Sequence, residues 1–375
     1  MDAEVTIIGA GVIGLAVAAR LSRDISPVIV VEKHKKFGQE TSSRNSEVIH
    51  SGIYYPKMSL KARLCLEGKK WLYQYCEQHD IPYRKCGKLI VACDESQVPQ
   101  IQKIVQQATI NGVTDARLIH HDELHELEPH VSGDFAAWFP TTGIIDSHAF
   151  MQSLERESIS QGVEFAYAHE VTGIRPLRGG YEITVVQADD TPFSFTTAKV
   201  INASGLNAGK TAALAGISDK TYRQYFWKGE YFTLIHGKHK MISRLVYQAP
   251  EPDTTGLGIH TTPDTYGRMR LGPNAIYLES SIPEFSVDPS HAASFHESVR
   301  RFLPFIEPED LTPDQAGVRP KLQKPGDPWK DFIIREERER GNPGFVNLLG
   351  IESPGLTASL SMANYIYRLL YKTNL

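Results

Sequence analysis

The chain has little cysteine, no large excess of charge of either sign and no apolar run long enough to span a bilayer. Four cysteines, Cys65, Cys76, Cys86 and Cys93, fall in one segment without a C-x-x-C pair. That excludes a disulfide framework and the usual zinc knuckles, and it fits reduced thiols in a cytoplasm-like compartment. A formal net charge of −4, with 22% charged residues across 375 positions, leaves no basic footprint for nucleic acid. The apolar run "VTIIGAGVIGLAVAA" near the start is preceded by the acidic "MDAE" where an export signal needs a basic region, so it reads as a folded segment with neither export nor a transmembrane helix. No internal repeat, low-complexity tract or long linker appears. What remains is a globular chain of a length that suits two intertwined domains.

The apolar run carries the first positive signal. "VTII" reads as a buried strand, "GAGVIG" places Gly9, Gly11 and Gly14 in G-x-G-x-x-G spacing, and "LAVAARLSR" continues as a helix. Gly9 allows the tight turn, Gly11 lets backbone approach a pyrophosphate, and Gly14 lets helix and strand pack closely. A second strand, "PVIVVEK", ends in Glu32, where a carboxylate accepts from ribose hydroxyls and repels a 2′-phosphate. The bland alternative is a plain βαβ unit.

NAD and FAD share this first unit, so the segments beyond it must decide between them. An irregular polar stretch, "TSSRNSEVIHSGIYY" (41–55), precedes a long amphipathic helix over 59–79. Thr41, Ser42, Ser43 and Arg44 are placed to meet the remainder of a longer cofactor, and "VIHSGIYY" to arrive beside its reactive ring. "AKVINASGLNAG" runs a strand into the small residues Ala203, Ser204 and Gly205. Near the end of the chain a buried strand, a glycine turn and a last helix offer free N–H groups around Gly355, Leu356 and Thr357 to the pyrimidine edge of a flavin. These features favour FAD.

"GAGVIG" with Glu32, "TSSRNSEVIHSGIYY", "GEYF", "LGIHTT", "GPNA", "AGVRPK" and "GIESPGLTASL" resemble, nearly end to end, the FAD-dependent D-amino-acid-oxidase-like superfamily, and within it the L-2-hydroxyglutarate dehydrogenase/oxidase branch. The resemblance implies an α/β fold with an α+β cap: a Rossmann-like FAD-binding domain assembled from separated segments (1–85, 145–222 and 314–375) and a mixed-sheet substrate domain (86–144 and 223–313). It also implies cofactor contacts from Lys33, Asn45 and Val171, and from Gly317, Gly350 and Ser353. "GKLIVAC", "FAAWFPTTGIID", "KGEYFTLIH", "SRLVYQA" and "RMRLGPNA" suit strands of the cap, with helices near 97–109 and 289–302.

Oxidising a 2-hydroxy acid to the 2-oxo acid requires a base, a hydride acceptor and cations for the carboxylates. His260, expected on a cap strand, is the candidate base, a role shared with His50, which alternatively orients substrate or tunes the flavin. Either histidine is alternatively structural. Arg319 in "AGVRPK" offers a planar guanidinium to an α-carboxylate, and Lys321 a second cation. Tyr55, Tyr231 and Tyr247 are candidate hydroxyl donors, and Arg270 a further cation. His121 and His125 stand at i, i+4, a spacing that binds zinc on a helix, but no third ligand accompanies them and no metal is expected. An amino-acid oxidase of the same superfamily, glycine-like in substrate, and a low-turnover flavoprotein subunit are the competing readings. The electron acceptor, quinone or oxygen, leaves no motif, and peripheral membrane contact stays compatible with the sequence.

Overall fold

Strand Ala3–Ile8 runs into the first glycine turn and out into helix Val12–Leu21, followed by strand Val28–Glu32, so the opening motif folds as the βαβ unit its spacing requires. The computed structural model describes residues 1–187, 191–250, 258–280 and 282–372; Gly256 and Leu257 of "GLGIHTT" lie outside them. Its contacts divide the chain into two units. Unit 1 comprises Met1–Ser43, Ser147–Phe226 and Arg319–Leu375, and unit 2 comprises Arg44–Asp146 and Trp227–Val318. The 44–85 segment thus falls in unit 2.

Unit 1 is built on a sheet of eight strands among the described residues. Ala3–Ile8 lies between Val28–Glu32 and Pro192–Asn202, parallel to both, and Asn342–Leu349 pairs parallel on the far side of Pro192–Asn202. Ile8 is level with both Val31 and Asn202, and Asn202 with Asn347. The residues just beyond them, Gly9, Glu32, Ala203 and the turn at Gly350, therefore emerge at one carboxyl edge of a parallel sheet, where such folds bind ligands. Eight of the ten residues of helix Val12–Leu21 are buried. Its alanines admit close contact with helices Ser147–Ser160 and Gly355–Tyr371. The core on one side of the sheet joins Ile8, Val31, Ile183, Val200 and Phe345.

Unit 2 holds a four-stranded sheet whose two central strands are Lys88–Ala92 and Phe135–Phe139. Because side chains alternate along a strand, this sheet has two apolar faces. Leu89, Val91, Ala136 and Val246 enter one core, and Ile90, Ala92, Ala137, Phe139, Leu245 and Tyr247 the other. Helix Leu60–Gln78 matches the amphipathic pattern read over 59–79. The Ser59 hydroxyl caps it by accepting from the Ala62 amide at 3.1 Å. Helices Val98–Ile110 and Ala292–Val299 stand where the sequence places them, the latter shorter than expected.

Candidate functional site

The glycine turn of unit 1 is shaped by contact rather than by flexibility alone. A Cβ on Gly14 would lie 1.9 Å from the Gly9 carbonyl oxygen, and one on Gly9, at φ 105°, would lie 2.6 Å from the Ala203 carbonyl oxygen. Gly11 caps the helix in an extended conformation. The Val12 amide donates to Ser42 Oγ at 3.0 Å, so the turn Thr41–Ser43 closes over the helix start. Glu32, nearly buried, accepts from the Ala10 amide through Oε2 and from the His34 amide through Oε1, both at 2.8 Å. Two backbone donors fix the carboxylate at the strand end, where its geometry fits a ribose diol. Lys33 pairs with Glu40 at 2.7 Å.

Ala203, Ser204, Gly205 and the turn at Gly350 follow strands of the same sheet, at its carboxyl edge. The Ala203 amide donates to the Ile8 carbonyl, and Ser204 Oγ donates to Asn202 Oδ1 at 2.6 Å. Gly205, at φ 56°, has nothing within 4 Å of where a Cβ would stand. Gly350, at φ 68°, leaves room for Leu322, and the buried Thr357 lies in the first turn of helix Gly355–Tyr371. Leu356 follows Gly355 in that turn; Ser353 precedes it and is exposed. The Gly355 amide donates to the Glu352 carbonyl at 2.6 Å, which corrects the expectation of a free donor at that position. Val171 sits beside a β-bulge in strand His169–Leu177. The half-buried Arg319 closes the Leu311–Lys321 strand with Lys321, whose Nζ is 4.0 Å from Glu352 Oε2.

In unit 2 the opening polar stretch is tied down residue by residue. A Cβ on Gly317 would sit 2.0 Å from the Arg44 carbonyl oxygen, and Gln315 Nε2 donates to the Asn45 carbonyl at 3.2 Å. Ser46 Oγ and the Tyr231 hydroxyl share a hydrogen bond of 2.7 Å. Arg270, 4% exposed, donates to Glu47 Oε2 at 3.1 Å, while among the described residues its buried Nε has no acceptor. Further along, the Cys65 thiol donates to the His50 carbonyl, and Asn111 Nδ2 donates to the carbonyls of Gly52 and Tyr55, both at 2.9 Å. A stretch without a secondary-structure period is thus held in place by side chains from helices, strands and a helix end elsewhere in the unit.

Five side chains gather there. His260 is 4% exposed and lies just before strand Thr261–Pro263, a correction to its expected place within a strand. Its Nδ1 is 2.9 Å from the Gly258 carbonyl, which only accepts, so Nδ1 carries the proton and the basic lone pair is on Nε2. The Tyr247 ring stacks on this imidazole with 3.7 Å between centroids. Lys88 places its Nζ 4.0 Å from the Tyr247 centroid and 5.2 Å from that of Tyr54. Burial pushes the Lys88 ammonium down to about 7. His50 is held well below the ordinary imidazole value, first by loss of solvent and then by the positive charges of Lys88 and His260. Burial raises the Tyr247 hydroxyl well above its ordinary value, with the hydroxyls of Tyr54, Tyr231 and Tyr55 adding to it. The nest is dry, and in it the His50 imidazole is kept uncharged while the His260 imidazole offers a basic lone pair on Nε2.

Lys88 is the residue that sequence reasoning passes over. The signal is present: a lysine on the same parity as Ile90 and Ala92 in "KLIVA" belongs on an apolar face. Glu47, the partner of Arg270, is missed in the same way. His121 and His125 stack on each other at 4.1 Å, and among the described residues no group of three or more His, Cys, Asp or Glu is arranged to hold a metal.

Comparison with known proteins fixes the family. A model described as "FAD dependent oxidoreductase" matches residues 4–369. The chain belongs to that family. It is an FAD-dependent enzyme, and the cradle at Gly9, Gly11 and Gly14 with the pinned Glu32 fits the cofactor's adenosine diphosphate half. The chain is 36% identical to the mitochondrial L-2-hydroxyglutarate dehydrogenase of Arabidopsis thaliana over 97% of its length and 82% of the relative's. It is 30% identical to that of Homo sapiens, over 97% and 87% respectively. The L-alpha-glycerophosphate oxidase of Mycoplasma pneumoniae, solved with FAD bound, superposes with a TM-score of 0.88 at 29% identity, covering 98% of this chain and 94% of that one. A glycine oxidase from Geobacillus kaustophilus, at 19% identity and a TM-score of 0.81 with 100% and 95% covered, shares the fold.

Proposed function

We propose that this oxidoreductase converts an L-2-hydroxy acid, L-2-hydroxyglutarate above others, to the 2-oxo acid. The likeness to L-2-hydroxyglutarate dehydrogenases over 97% of the chain supports the substrate. The observation that carries the chemistry is the His260 tautomer, with Nδ1 committed to Gly258 and Nε2 left as the basic atom. Bound FAD supplies the hydride acceptor for the alcohol carbon. His260 Nε2 takes the hydroxyl proton, the Tyr247 stack holds the ring to its task, and His50 stays uncharged beside it. Arg319 grips the α-carboxylate by a planar, two-pronged contact. Lys321 and Arg270 supply cations toward the second carboxylate, with Tyr55 and Tyr231 as hydroxyl donors. The electron acceptor that restores the flavin is a quinone or oxygen. Among the described residues no helix is long and apolar enough to cross a membrane.

The test is anaerobic mixing of the yellow protein with candidate acids. L-2-hydroxyglutarate should bleach the flavin and yield 2-oxoglutarate, and the D-enantiomer should not. Bleaching by an amino acid with release of ammonia would favour the amine-oxidase reading; no bleaching by any hydroxy or amino acid would favour a binding subunit. Reoxidation with quinone and oxygen supplied separately identifies the acceptor.

A further inference from the structure

Strand Lys88–Ala92 pairs in parallel with Leu245–Gln248, Lys88 level with Leu245 and Ile90 with Tyr247. Antiparallel pairing on its other side sets Lys88 level with Phe139. Ile90, Phe139, Leu245 and Tyr247 on that face are apolar or aromatic, and Lys88 is 1% exposed. A lysine there loses its hydration, a cost rarely met unless the charge is used. The titratable groups around it are Tyr54 and His50 from the loop before helix Leu60–Gln78, Cys65 from that helix, Cys86 ahead of its own strand, and Tyr247 from the partner strand. His260 adjoins through the Tyr247 ring. Among the described residues no carboxylate stands within ion-pair reach of its Nζ; ring faces stand where a counter-ion would be.

We propose that Lys88 is a positioning residue for proton transfer: seated over the Tyr247 ring that stacks on His260, and beside His50, its buried ammonium disfavours a second positive charge and keeps the imidazoles in their proton-accepting form. The proposal rests on the hydroxy-acid oxidation proposed for this site. Its logic is one of timing along the pH axis. Lys88 is charged below about 7, where an ordinary imidazole protonates, and sheds its charge above that, where an ordinary imidazole is neutral. Loss of the cation leaves burial and His260 to hold His50 neutral, so its protonation moves up in pH.

The experiment follows the histidines directly in the FAD-loaded enzyme carrying 13C at histidine Cε1, with the His50 signal assigned by its loss in His50→Asn. In the wild type that signal should stay in its neutral position well below the ordinary midpoint of about 6.5. In Lys88→Met, a substitution close in volume, the midpoint should rise by about half a pH unit or more. The acid limb of anaerobic flavin reduction should move the same way, so that the variant's rate at pH 6 falls about threefold or more further below its own rate at pH 8 than the wild type's does. An ordinary His50 midpoint in the wild type overturns the proposal without any variant, and identical midpoints and acid limbs in wild type and Lys88→Met overturn it as well. Lys88→Gln serves if the methionine variant does not fold. If no hydroxy acid reduces the flavin, the oxidation reading falls and takes the proton-transfer role with it, whereas reduction with an unmoved acid limb sinks the role of Lys88 alone.

Discussion

The Tyr247 ring lies on the His260 imidazole with 3.7 Å between centroids and only 13° between planes. One end of the imidazole is tied to the Gly258 carbonyl and its face is covered by tyrosine, so the ring has little freedom left. Tyr247→Phe keeps the face and should reduce flavin at near wild-type rate. Tyr247→Leu removes a contact worth about 0.5–1.5 kcal/mol and should slow reduction about tenfold. His260→Ala should slow it by roughly two to four orders of magnitude with flavin content preserved, as removal of a general base does. Stopped-flow reduction without oxygen checks all three. A normal rate in His260→Ala would remove it as the base.

Gly14 makes a sharper structural claim. The Gly9 carbonyl oxygen occupies the space a Cβ would need, at 1.9 Å, and both partners are backbone, so neither yields by a rotamer change. Gly14→Ala should therefore cost about 2–4 kcal/mol of stability and strip FAD from whatever protein folds. The readout is flavin absorbance per folded chain beside the melting temperature. A yellow, normally stable Gly14→Ala protein would show that the turn is looser than its contacts indicate.

Legibility in the sequence depends on how local the physical cause is. Gly9, Gly11, Gly14 and Glu32 act within one strand–turn–helix–strand unit, so their spacing alone announces it, and helix Leu60–Gln78 is legible from its apolar stripe and the Ser59 cap. The Lys88 nest is of another kind. The lysine is buried where strand Leu245–Gln248, far along the chain and carrying Tyr247, pairs beside its own strand in parallel register, and no window of sequence contains both. His260 is recognisable as a candidate, but its tautomer depends on a carbonyl two residues back in an irregular turn, which periodicity does not reveal.

Arg319 carries the charge argument. If its guanidinium holds the α-carboxylate, Arg319→Leu should leave FAD bound and weaken reduction by L-2-hydroxyglutarate by about 2–4 kcal/mol, a factor of roughly thirty to a thousand, through KM more than through flavin content. Arg319→Lys should recover only part of that, because a point charge cannot reproduce a planar fork. Steady-state and single-turnover kinetics decide it, and unchanged kinetics in Arg319→Leu would end the assignment.

Lys88 also leaves a thermodynamic trace that requires no substrate. In the folded protein it gives up its proton at about 7, whereas in the unfolded chain it does so near 10.4. Between those values the unfolded chain binds more protons at this site, so the site's contribution to stability rises with pH; below about 7 the cost of the buried charge is felt in full, and above about 10 it is gone. Lys88→Met removes that cost and forgoes the two ring contacts of the ammonium. The variant should therefore gain on the wild type by on the order of 1–4 kcal/mol at pH 6, with the gain shrinking toward pH 9 as the wild-type lysine becomes neutral on its own. Taking the difference between the two proteins cancels every other titrating group that the substitution leaves alone. Urea melts of the FAD-loaded proteins at pH 6, 7.5 and 9 measure it, and a gap of the same size at all three would mean that Lys88 keeps an ordinary lysine's affinity for its proton.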